Sequence, residues 1–449
     1  MQKYYFDIME ESTKIVRKTM QNIDVERFKP ATKMFSNQIK FGRKITERFL
    51  DTSKFIVQAI APTQSGKTGS ISASIMFMNK HPQIKLPPEN VFILSGLSSK
   101  DWVQQTKERF PESMENQIYH RNKFKQFVKD VKMKKNVLIV IDEIQLACLP
   151  GQALHSAFIQ SGLMNLQYIM ENDIKILLIS ATPDGVVYDL NEWKQGACVE
   201  FMDVPESYIS IHHLMDENRI FQYKELCGAV LEKREDETQK KDSVDDDDES
   251  NEQIYENIRE IEKYLTSEPK IHIIRTRNSV FHTKTIKNFK KVFKGKDYLF
   301  LSETKIKMNK LLEKSPEKHI FIFIKEKLRC AQTIPKEYLG VLYERATETI
   351  NDSVVIQGLA GRLTGYHENK TSVVFTNINS IMKYKELLDN NFKIEEPEDN
   401  RGYDDEEDSG IMWVSNSTKA KYPYTKGTYL CVDKSKLYKK MIKIGDIEE

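Results

Sequence analysis

Cysteine is scarce in this chain: five in 449 residues (Cys148, Cys198, Cys227, Cys330 and Cys431), none in a CxxC pair or at metal-ligand spacing. That argues against a disulfide scaffold and a zinc module, and it fits a reducing compartment. No apolar run reaches the roughly 18 residues that a membrane-spanning helix needs. The opening MQKYYFDIMEES lacks the charged-then-apolar pattern of a signal peptide. No repeat with a period of about 20–50 residues is evident. A soluble, intracellular protein with no membrane partner is expected.

What the chain does have is segregated charge. The net charge is only +2, yet residues 242–252 hold seven acids (Asp242, Asp245, Asp246, Asp247, Asp248, Glu249, Glu252) and no base. Residues 395–408 hold nine acids against one base, Arg401. These runs carry −7 and −8, which leaves +17 on the remainder. A basic body suits a polyanionic partner, because Lys and Arg contacts to phosphate dominate such affinity. Lysine excess can also be compositional.

Apolar runs bounded by polar or turn residues mark buried parallel strands. Phe55–Ile60, Val91–Leu94, Val137–Ile141, Ile174–Ile179 and a weaker run at Cys198–Met202 form a first set. Ile271–Ile274, Tyr298–Leu301, His319–Ile324, Gly340–Tyr343 and Ser372–Thr376 form a second. Stretches of helical length lie between them, so βαβ units and doubly wound parallel sheets are expected. Between the sets, EKREDETQKKDSVDDDDESNEQ is charged and nearly free of apolar residues. Such a run cannot offset its ordering entropy by burial and reads as an exposed linker or insertion.

The strand at Phe55–Ile60 runs into Ala61-Pro62-Thr63-Gln64-Ser65-Gly66-Lys67-Thr68, and a helical stretch follows. Strand, glycine-containing loop and helix N-terminus together make a phosphate cradle, with backbone N–H groups facing the anion. Lys67 would reach the β- and γ-phosphates of ATP, and the Thr68 hydroxyl would ligate Mg2+. The usual pattern has glycine at position 61 and many examples have it at 64; this chain has Ala61 and Gln64. The run Val137–Ile141 ends in Asp142-Glu143-Ile144-Gln145. Asp142 would serve the metal, and Glu143 would orient and deprotonate the attacking water. Ile174–Ile179 ends in Ser180-Ala181-Thr182-Pro183, whose hydroxyls can bond the acidic pair and report the state of the nucleotide. Each has a plainer reading alone: a helix cap, a surface turn, another turn. In this order they are hard to explain otherwise.

Phosphate loop, DEIQ, SATP and then Gln357-Gly-Leu-Ala-Gly361-Arg362-Leu-Thr-Gly365-Tyr366, preceded by Asp352, resemble the ordered motifs of superfamily 2 helicases. The wording is similar to helicase-like proteins of large DNA viruses and phages, which would place the chain in a host cell or virion. The resemblance covers both halves. It implies two RecA-like lobes clamping Mg–ATP between them, at roughly 37–205 and 266–390. These would be flanked by a helical extension over 1–36, a linker with the acidic insertion over 206–265, and an acidic then mixed tail over 391–449. By resemblance Arg362 is the arginine finger and Gln357 a γ-phosphate or water contact. The glutamine stands one residue farther from the arginine than the usual Q-x-x-G-R spacing, and the second family arginine is absent. Ser180 and Thr182 match the motif that couples hydrolysis to strand movement.

Nucleic-acid contacts by resemblance are Ser95 and Gly96 after the second strand, Arg275 after Ile271–Ile274, and Thr333 in the Leu328–Thr333 segment. Trp102 would stack on a base, worth about 1–3 kcal/mol, or belong to the core. Gln38 would contact adenine. Lys284, Lys287, Lys291 and Lys294 recur at helical spacing beside Ile286, Phe289 and Phe293, as a nucleic-acid stripe or a solvated face. The expected function is an ATP-dependent nucleic-acid helicase or translocase, on DNA or RNA, of undetermined oligomeric state. Two rivals remain. A genome-packaging terminase ATPase would carry a nuclease as its second domain, with spaced acids on strands. A catalytically silent nucleic-acid-binding protein would keep the fold without turnover.

Overall fold

In a computed structural model of the chain, the apolar runs become parallel strands with helices between them. The structure describes residues 34–96, 100–143, 152–182, 191–228, 248–277, 279–303, 308–325, 328, 334–347, 350–366, 369–390, 412–415 and 428–431. The expected extension over 1–36 lies almost wholly outside these residues, as does most of the 391–449 tail. Two compact units divide the chain, one drawn from Met1–Glu206 with Glu386–Glu449 and the other from Ser207–Lys385.

The first unit contains β1 (Ile56–Ile60), β2 (Val91–Ser95), β3 (Ile118–His120), β4 (Val137–Asp142), β5 (Ile174–Ser180) and β6 (Ala197–Phe201). Its helices are α1 (Ser36–Arg48), α2 (Lys67–Lys80), α3 (Lys100–Lys107), α4 (Phe124–Val131), α5 (Ala153–Ser161) and α6 (Leu166–Glu171). The sheet order is β3-β2-β4-β5-β1-β6, and every pairing is parallel. β1, β2 and β5 are buried along their whole length, which is why they read as continuous apolar runs. Because all strands run one way, the loops after β1, β4 and β5 emerge at the same edge of the sheet. β3, absent from the expected runs, is a three-residue strand at the sheet's rim.

The second unit contains β7 (Ile220–Gln222), β8 (Ile271–Thr276), β9 (Leu299–Ser302), β10 (Ile320–Lys325), β11 (Leu339–Tyr343) and β12 (Val373–Thr376). Their order is β7-β12-β11-β8-β10-β9, again wholly parallel. Helices α7 (Ile211–Asp216), α8 (Asp248–Glu262), α9 (Ser279–Val292), α10 (Met308–Leu312) and α11 (Ile378–Asp389) accompany them. A helical segment over Asp352–Leu363 is kinked at Gly358 (φ −77°, ψ −135°). β13 (Met412–Ser415) pairs antiparallel with β14 (Thr428–Cys431). Two doubly wound parallel sheets are thus present, as expected. No helix among the described residues is long and apolar enough to cross a membrane.

The stretch over 206–265 is more than a linker. β7 pairs with β12, and α8 places Ile254, Ile258 and Ile261 in one core with Phe289, Phe293, Phe321 and Phe323. The acidic composition hid this, because the acids of α8 alternate with an isoleucine stripe at helical spacing. Burying each such side chain contributes about 1.5–3 kcal/mol, which is reason enough for the segment to fold onto the sheet. On α9 the expected amphipathicity holds: Phe289 and Phe293 are buried, while Lys287, Lys291 and Lys294 are exposed. Lys291 lies 4.8 Å over the ring of Tyr255 of α8.

A histidine relay is built into the second sheet. The β8–β11 register shifts between Leu339 and Leu342, and the Val341 N–H released there donates to Nδ1 of buried His272 (2.9 Å). Gly340 makes room for the ring: a Cβ there would lie 2.5 Å from His272 Cε1. With Nδ1 accepting, His272 Nε2–H donates to His319 Nδ1 (3.0 Å), and His319 Nε2–H donates to the Thr266 carbonyl (3.1 Å). Burial, followed by the neighbouring His319, lowers the His272 pKa to about 3. The unfolded chain takes up this proton near pH 6.5 and the folded one does not, so stability falls as pH drops from about 6.5 toward 3. Between pH 7 and pH 5 this one group should remove about 2 kcal/mol. Urea unfolding of the intact chain at the two pH values checks it. His272→Asn, which offers Val341 an acceptor that does not titrate, should lose less stability than the wild type over that interval.

Candidate nucleotide site

β1 delivers the chain at Ala61, whose N–H donates to the Ser180 carbonyl at the end of β5 (2.9 Å). The loop then turns twice through left-handed backbone, at Gln64 (φ 59°) and at Gly66 (φ 100°), before α2 begins at Lys67. Gln64 therefore occupies a conformation that favours glycine, which accounts for glycine at this point in similar loops. Ala61 is not among the positive-φ residues, so nothing in the backbone demands a glycine there. Gly66 is needed for space as well. A Cβ on it would lie 1.8 Å from Gln38 Nε2, and one on Gly69 would lie 2.2 Å from Gln38 Oε1. Gln38 of α1 is thus buried against the phosphate loop, with Oε1 accepting the Phe35 N–H (3.0 Å).

Lys67 Nζ stands 3.5 Å from Glu143 Oε1. Glu143 is 1 % exposed and itself has left-handed backbone (φ 58°), its N–H donating to the Ile179 carbonyl (3.1 Å). Ser180 Oγ donates to Glu143 Oε2 (3.4 Å), lies 3.2 Å from Thr182 Oγ1, and accepts the Thr182 N–H. The ends of β1, β4 and β5 thereby bring the lysine, the carboxylate and the two hydroxyls together. Asp142 is held above the usual carboxylate range by burial and by the adjacent Glu143 charge; Lys67, a bond from Trp102 and the Arg109 charge pull it back.

Two residues of this centre come from α3 and its C-terminal end. Trp102 Nε1 donates to Asp142 Oδ2 (2.9 Å), and Arg109 donates from a guanidinium nitrogen to Thr68 Oγ1 (3.1 Å). Burial lowers the Arg109 pKa, and the Asp142 carboxylate works against that. Trp102 is 6 % exposed and committed to Asp142, so the base-stacking expectation is replaced by a supporting role. Arg109 was missed altogether: a lone arginine beyond a helix carries no sequence signal.

In the second unit, Gln357 and Arg362 are both buried, Arg362 at 3 % exposure. They sit on the kinked Asp352–Leu363 segment, whose irregular turn at Gly358 takes up the extra residue between them. Asp352 anchors that segment to α11, its carboxylate accepting from Ser380 Oγ (2.5 Å) and Lys383 Nζ (3.1 Å). Arg362 donates to the Leu328 carbonyl (3.3 Å), so it is not a surface arginine on a glycine-rich turn. Lys336, which donates to the Thr364 carbonyl, has its pKa lowered to about 8 by burial and then by the Arg362 charge.

The expected nucleic-acid contacts fare worse. Arg275 is buried, bonded to Glu344 Oε2 (2.5 Å) and the Leu328 carbonyl (2.6 Å), so its guanidinium serves the fold and not a phosphate backbone. Gly358 is tight against that ion pair, a Cβ there meeting Glu344 Oε2 at 3.0 Å. Ser95 and Gly96 are likewise buried and offer no surface in this structure. Thr333 lies outside the described residues, as do Ile144, Gln145 and Pro183.

No family model matches the chain. It is similar to uncharacterized protein L594 of Acanthamoeba polyphaga mimivirus, 24% identical over 382 residues that span 80% of this chain and 89% of that protein. Among solved structures, S. cerevisiae Dbp5 bound to RNA and ADP BeF3 matches with a TM-score of 0.44 and 14% identity, over 78% of this chain and 91% of that one. The DEAD-box helicase Mss116 bound to ssRNA and UDP-BeF matches with a TM-score of 0.44 and 17% identity, over 78% and 72%.

Proposed function

We propose that the chain is an ATP-hydrolysing motor of the superfamily 2 helicase type that acts on nucleic acid. The observation that carries the reading is the Lys67–Glu143–Ser180 arrangement at the edge of the first sheet, beside a left-handed phosphate loop. Residues 61–68 hold the triphosphate, and Lys67 meets its terminal phosphates. Magnesium fits the residues present: the Thr68 hydroxyl and the Asp142 carboxylate are hard oxygen donors, and the charge of Arg109 already acts on both. When bound, Mg2+ would neutralise charge on the phosphate oxygens. Glu143 takes the proton of the attacking water while Ser180 fixes its carboxylate. By the resemblance of their motif, Arg362 would supply charge to the transition state and Gln357 would contact the γ-phosphate or the water. Thr182, bonded to Ser180, links the state of the γ-phosphate to the end of β5.

The terminase rival called for acidic residues spaced along strands of the second domain. β7 to β12 carry no Asp or Glu within their bounds, which favours the helicase reading over that rival. The basic body and the exposed lysines of α9 favour a polyanionic track. ATP turnover measured with and without single- and double-stranded DNA and RNA tests the reading. Stimulation by one of them is expected. Turnover that is absent under every condition would leave a silent binding protein, and Mg2+- or Mn2+-dependent nuclease activity would restore the terminase.

A further inference from the structure

The two atoms assigned to the metal share an unassigned neighbour. Arg109 donates to Thr68 Oγ1 at 3.1 Å, and its guanidinium feels the Asp142 carboxylate. Asp142 Oδ2 accepts in turn from Trp102 Nε1 at 2.9 Å. Arg109 and Trp102 are themselves joined: the Arg109 N–H donates to the Thr106 carbonyl (3.0 Å), and Thr106 Oγ1 donates to the Trp102 carbonyl (2.7 Å). One short piece of chain, α3 and the two residues past it, therefore engages the hydroxyl of α2 and the carboxylate of β4 together.

We propose that Arg109 is a stand-in for the divalent cation, bonded to the Thr68 hydroxyl while no nucleotide is bound and displaced when metal–nucleotide arrives. The inference rests on the nucleotide reading above. Its logic is charge. Two acids, Asp142 and Glu143, lie side by side at the end of β4, and Lys67 faces Glu143. A second positive group beside Asp142 keeps the pair tolerable before the metal comes. A guanidinium and a divalent ion drawn to the same hydroxyl oxygen repel each other. Metal binding at Thr68 therefore works against the Arg109–Thr68 bond, and Trp102, tied to the Arg109 main chain through Thr106, lies on the same short piece of chain.

The test is binding of a fluorescent ADP to the full chain, once in EDTA and once in Mg2+, with the ratio of the two affinities as the readout. Arg109→Gln, which removes the competing charge, should increase the tightening produced by Mg2+ about tenfold, the size of one charge-assisted hydrogen bond. Arg109→Lys, which keeps the charge, should stay near the wild-type ratio. A purely structural arginine would weaken both affinities alike and leave the ratio unchanged, which overturns the proposal. So would a ratio that falls. Arg109→Met provides the same comparison if the glutamine variant folds poorly, and loss of binding by both in both buffers would make the residue structural. Wild-type chain that binds no nucleotide in either buffer sinks the nucleotide reading as well; wild-type binding with an unaltered ratio in the variants sinks the stand-in alone.

Discussion

Glu143→Gln is expected to abolish nucleic-acid-stimulated ATP hydrolysis while leaving nucleotide binding in place. The side chain is fixed before any substrate arrives, by Lys67 on one oxygen and Ser180 on the other. Glutamine keeps its size and most of its hydrogen bonds but cannot take a proton, so the loss should fall on the chemical step. A positioned general base contributes about 10²–10⁴-fold, and loss of at least that size is expected in single-turnover hydrolysis. A Glu143→Gln variant turning over at full speed would remove the residue from the mechanism. Lys67→Ala should be inactive for a different reason. It strips the phosphates of their lysine and leaves a carboxylate that is 1 % exposed without that partner, so nucleotide affinity should fall along with turnover.

Arg362→Ala should slow hydrolysis at least about a hundredfold, at the low end of what an arginine finger supplies. Its burial gives it a second duty, since it shares the Leu328 carbonyl with Arg275. Thermal unfolding measured beside turnover separates the two. A finger loses rate with little change in melting temperature, and a structural brace loses both in proportion. Arg362→Lys keeps charge without the planar fork and should recover little of the rate. A normal rate in the alanine variant would eliminate the finger.

The parts of this site that could be read from sequence are those that follow a fully buried strand. Asp142, Glu143, Ser180 and Thr182 lie at or just past the ends of apolar runs, Lys67 and Thr68 follow one after a single loop, and parallel pairing carries those run ends to one edge. What could not be read depends on partners distant along the chain. Arg275 was expected to contact a phosphate backbone because its segment resembles a family motif, but its ion-pair partner Glu344 is 69 residues away. Trp102 and Asp142 are 40 apart, and Arg109 and Thr68 are 41 apart. No local pattern reports such pairings. The fold shows the same division. Ten strands were legible from apolar runs, while β3 and β7, three residues each on sheet rims, were too short to register, and β13 and β14 lie in the tail that no apolar run marked.

β7 and α8 lie before residue 266, where the second lobe was expected to start. An expression fragment beginning there would leave the backbone of β12 without its neighbour and uncover Phe321 and Phe323 where the isoleucines of α8 had sheltered them. Such a fragment would be a candidate for self-association through a bare strand and an oily face. Cutting at Ser207 keeps both guards with the sheet they protect.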